Sequence, residues 1–136
     1  MEIEINYLAV LAAAVAVMVI GTLWYGPVFG KPWRRMMGYT PESMKAMKLT
    51  AGQAIAGGIV TALLKAYVLA HVAVMFGAQG FEGAFMLAFW MWLGLVMPTL
   101  ASGFLWENKP FKLFAFNAAH GFVELLAIAL VLVLWV

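Results

Sequence analysis

Four side chains able to carry charge fall inside stretches that are otherwise almost wholly apolar: Lys65, His71, His120 and Glu124. Asn117 and Thr61 are neutral polar companions on the same stretches. An ionisable group in an apolar helix is costly, about 2.5–3.5 kcal/mol for Lys or Asp at the centre of a membrane-spanning helix, so such groups mark either a pairing or a site. Lys65 with Glu124 has the chemistry of an ion pair, in which each charge offsets the desolvation of the other. Glu124, Lys65 and His120 together could instead form a path for a proton or ion. His120 and Glu124 are four residues apart, on one helix face, and two metal ligands could meet there. His71, the third candidate ligand, lies about 15 Å away along the helix axes if the helices are in register. No metal site and no cofactor are therefore expected. A catalytic set is equally hard to assemble: the chain has no Cys and no Asp, and its few Ser and Thr have no base at a recognisable spacing. No enzyme activity is expected.

The stretches that must position these groups are set by composition. Of the 136 residues, 66% are hydrophobic and 10% are charged. A soluble domain carries about 25% charged residues, so lipid is the solvent that fits this chain. Four apolar runs near the ~20 residues needed to cross a bilayer cover residues 7–25, 54–76, 83–106 and 113–136. They are too long and too uniform for barrel strands, which alternate. The expected fold is all-α, an integral membrane four-helix bundle forming one domain over residues 1–136.

Between the first two runs lies the longest polar stretch. Thr40-Pro41-Glu42 is a helix start, with an N-cap threonine, a proline in the first turn and an acid near the positive end of the dipole. A short interfacial helix is expected there, free to run on into the second span because nothing breaks helix before Leu49. Gly26-Pro27 is expected to end the first span, and Pro98 to kink the third. Ala9, Ala12, Ala13 and Ala16 give the first span a small-residue face. Trp24, Tyr25, Trp33, Trp106 and Trp135 are expected to anchor the chain at headgroup depth.

Depth brings the charges together. Lys65 lies eleven positions after Ala54, and Glu124 eleven after Leu113, which places both near mid-membrane on spans running the same way. Ala54, Gly58, Thr61 and Lys65 share one stripe; Asn117, His120, Gly121 and Glu124 share another. The two stripes are expected to face each other, with Lys65 and Glu124 paired and shielded from lipid.

Lys31, Arg34, Arg35, Lys45, Lys48, Lys109 and Lys112 all fall on the side of the two longer connections. The other side, with the termini and the turn near Gly77, has only Glu2, Glu4 and Glu82. The positive-inside rule puts the connections in the cytoplasm and both termini outside. The basic residues then meet anionic headgroups rather than nucleic acid. Gly- and Ala-lined faces suit a homodimer. Leu-Trp precedes Lys-Pro after both the first and third spans (Leu23-Trp24 and Lys31-Pro32; Leu105-Trp106 and Lys109-Pro110), too few letters to define an internal repeat.

Leu23-Trp24-Tyr25-Gly26-Pro27-Val28-Phe29-Gly30-Lys31 with Trp33 resembles the opening signature of the domain-of-unknown-function 1761 family. Pro110-Phe111-Lys112-Leu113-Phe114 followed by Asn117-Ala118 resembles its closing signature. The resemblance implies a small bacterial four-span protein of the inner membrane and supplies no activity, ligand or catalytic residue. Function is thus expected to be that of a non-catalytic structural or partner-binding module, or else of a small transporter or ion conductor acting through the mid-membrane charges.

Overall fold

A computed structural model describes residues 3–135; Met1, Glu2 and Val136, the first two in the acidic start and the last closing the fourth run, lie outside them. Among the described residues the regular structure is helical, and four helices are long and apolar enough to cross a membrane: span one Tyr7–Val28, span two Ala51–Met75, span three Gly80–Leu105 and span four Phe111–Leu134.

Spans one, two and four touch one another, and span three packs on span four. Span four is thus the hub. The close approach of spans one, two and four depends on small residues: Ala9 and Ala13 of span one, Ala62 and Ala66 of span two and Ala129 of span four are wholly buried. The contact of span three uses Ala84, Ala88 and Gly121 in the same way: a Cβ on Gly121 would sit 2.9 Å from Val96 Cγ1.

Both prolines singled out in the spans stand at π-turns. Gly26-Pro27 breaks span one as expected, one residue before its end at Val28. The helix widens to π geometry over Trp24–Val28, with Phe29 N–H donating five residues back to Trp24 O, and Gly26 departs from helical angles. Pro27 has no amide hydrogen and its ring crowds the carbonyl four residues earlier; one inserted residue per turn relieves both problems. Span three repeats the device over Trp92–Val96, where Met97 N–H donates to Trp92 O and Pro98 opens the following helical stretch. Pro98 therefore acts through a π-turn just before it.

The polar connection holds two short helices where one was expected. Gly30–Met37 forms the first and ends on left-handed Gly38 (φ 71°), with Tyr39 N–H donating to Arg34 O. Its start, so close to Pro27, hid it in the sequence. Pro41–Lys45 is the second, capped by Thr40. It does not run into span two, because Thr50 and Gln53 form their own capping box and start that helix afresh. Thr50, the cap, lies one residue past the stretch 42–49 that contains no helix breaker.

Candidate functional site

Lys65 lies fourteen residues into span two and Glu124 thirteen into span four, each about 20 Å from its helix start. Lys65 Nζ donates to Glu124 Oε1 at 2.5 Å. Glu124 Oε2 is 3.4 Å from His120 Nε2, without hydrogen-bond geometry. The carboxylate is deeply buried, at 7% exposure of its side chain, whereas the Lys65 side chain is 51% exposed. Shielding from lipid is thus achieved for one partner of the pair only: Lys65 reaches in from the protein surface along its flexible stem.

The two polar stripes do not face each other. The stripe of span four looks mainly at span one. Tyr25 Oη donates to Asn117 Oδ1 at 2.6 Å. The His120 ring lies edge-on to Tyr25, with centroids 5.0 Å apart, and tilted against Trp24 at 5.7 Å. Gly121, on the other flank, meets Val96 and Trp92 of span three. On span two, Gly58 has Met18 of span one as its nearest neighbour, and Thr61 donates to its own Gly58 O at 2.9 Å. Only the length of Lys65 closes the gap between the stripes. Helical spacing predicts which residues share a face; it does not reveal that a third helix fills the space opposite.

Trp24 and Tyr25 turn inward rather than toward headgroups. Trp24 packs on Phe29, Phe116 and His120, and Tyr25 on Trp33, Phe116 and His120. Both continue the face that span one buries with Val10, Ala13 and Val17 at ordinary helical spacing, ahead of the distorted Gly26. Trp33 bridges Tyr25 and Tyr39. Trp106 is 85% exposed at the connection end, and Trp135 is exposed at the other. His71 stands apart from the cluster, its Nδ1 2.9 Å from Tyr67 O and its ring edge-on to Tyr67.

An open-sided groove of about 490 Å³ runs between spans one and two. Its walls include Met18, Thr22, Tyr25, Ile55 and Thr61, and Lys65 and Glu124 lie at its deep end. Two buried ring nitrogens nearby, Trp24 Nε1 and His120 Nε2, have no hydrogen-bond partner within the protein. Beyond Glu124, span four runs through Leu125 to Leu134 without a polar side chain, with Ile128 and Ala129 at 0% exposure. The groove thus reaches the pair from the side of spans one and two, and a separate cavity of about 320 Å³ lies at the terminus end, lined by Glu4, Asn6, Gln79 and Leu132 among others. Among the described residues, no three His, Cys, Asp or Glu side chains cluster as metal ligands would.

These features define a four-span helical membrane protein with a charged pair at mid-depth. The family of proteins of unknown function designated DUF1761 matches residues 8–133, and the chain belongs to it. No curated protein and no solved structure matches the chain.

Proposed function

We propose that the chain is a non-catalytic membrane module that holds a partner, with the Lys65–Glu124 pair setting how its helices meet. The observation that carries this reading is the asymmetry of the pair. The Glu124 carboxylate is fixed inside the bundle beside His120, and Lys65 is drawn to it from the edge of the groove. A buried carboxylate accepts few alternatives, so it selects one register of span two against spans one and four. The groove beside it is the place for a partner. The seven cations on the connection side support a cytoplasmic position for both connections, with the termini outside, in a bacterial inner membrane.

A second reading, transport of a proton, ion or small solute, is favoured by one feature: the groove reaches Glu124. The apolar run from Leu125 to Leu134 weighs against it, because it offers a permeating charge no polar group in the far half. Reconstituted vesicles distinguish the two. With a pH-sensitive dye inside, the module reading expects the same proton leak for the native chain and for Glu124→Gln. A leak that disappears in Glu124→Gln, with thermal stability unchanged, overturns it in favour of transport.

A further inference from the structure

We infer that span two is also a self-association surface, on which two copies of this chain pair in parallel. Ala54, Gly57, Thr61, Leu64 and Val68 follow one another at steps of three and four, the spacing of a left-handed helix seam. All five are exposed, and they lie opposite the face that span two buries with Ala62, Ala66, Leu69 and Ala73. From Ala54 to Met75 this side of the helix measures about 31 Å, the thickness of the hydrocarbon.

Two further observations point to a helix as its cover. A Cβ on Gly57 would meet no atom within 4 Å, so nothing inside the protomer requires glycine there. A second helix approaching closely would require it. Lys65, half-exposed at mid-membrane, flanks the same seam. Its outer side needs covering, because lipid tails offer an ammonium nothing.

A second copy meets these demands better than an unrelated helix. Copies inserted with the same topology are parallel, so a two-fold axis sets Gly57 against Gly57 and Thr61 against Thr61. Lys65 follows Thr61 by four residues and falls beside the seam, which puts the two ammonium groups on opposite flanks. Each remains over its own Glu124, and the second copy's Val60, 65% exposed in the protomer, packs along the Lys65 stem. The Thr61 hydroxyl gives its hydrogen to Gly58 O and keeps its lone pairs free as acceptors within the interface. The seam shares Ala54 and Thr61 with the wall of the groove, so this pairing rests on the module reading and names a second copy as the partner that borders the groove.

The chain has no cysteine, so single-cysteine variants report contacts without background. Full-length variants with one cysteine at each position from Gln53 to Val68 are oxidised in native membranes. Disulfide-linked dimer is expected to peak at positions 54, 57, 61, 64 and 68. Introducing Gly57→Leu into the Thr61→Cys chain is expected to lower its yield several-fold. A flat profile, peaks on the Ala62–Ala66 face, or a yield indifferent to Gly57→Leu overturns the proposal.

Discussion

Spans one and three carry the same device against the same hub helix, and they use it to opposite ends. Each widens into a π-turn beside a proline, and each sets a tryptophan at the start of that turn against span four. On the span-three side the contact is complete: Trp92 Nε1 donates to Ala118 O at 2.8 Å, and Gly121 lets Val96 approach until no methyl group would fit. On the span-one side it is incomplete: Trp24 Nε1 is buried without a partner, His120 Nε2 likewise, and a Cβ on Gly21 would still stand 4.0 Å from His120. A buried polar group left unpaired costs about 1–3 kcal/mol, so a helix contact selected for stability alone would remove it. The span-three seam holds the bundle together. The span-one seam keeps polar capacity beside Glu124, where the groove opens.

The contrast can be broken in order of expected effect. Lys65→Met leaves a carboxylate buried without its cation and is expected to cost about 3 kcal/mol or more. Glu124→Gln is expected to cost less, because the freed lysine can swing outward on its stem. Thermal unfolding in detergent micelles ranks the two. Gly121→Ala should cost about 1–3 kcal/mol through the clash with Val96, while Gly21→Ala, with room for its methyl, should be nearly neutral. Equal effects would erase the distinction between the seams. Trp92→Phe removes a hydrogen bond and is expected to cost about 1 kcal/mol more than Trp24→Phe, which removes an orphaned donor. Tyr25→Phe, losing its bond to Asn117, should cost about 0.5–1.5 kcal/mol in the same assay.

The residues that were legible in the sequence are those whose meaning depends on one helix at a time. Apolar length located the four spans, and depth counted from their starts paired Lys65 with Glu124. Partners set by a third helix were not legible. Asn117 and His120 are on the face their spacing gives them, but that Trp24 and Tyr25 of span one, rather than the stripe of span two, stand opposite follows only from how the three helices assemble. Half-exposure of Lys65 is equally a property of the assembled helices, since it follows from where span one leaves span two uncovered.

The account rests most heavily on the coupling between Lys65 and Glu124, and a double-mutant cycle measures it. Lys65→Met, Glu124→Leu and the two combined are unfolded thermally in the same micelles. The double variant is expected to be more stable than Lys65→Met alone, because no charge is then left buried and unmatched. Additive losses, with the double variant the least stable of all, would contradict a pair that sets the helix register.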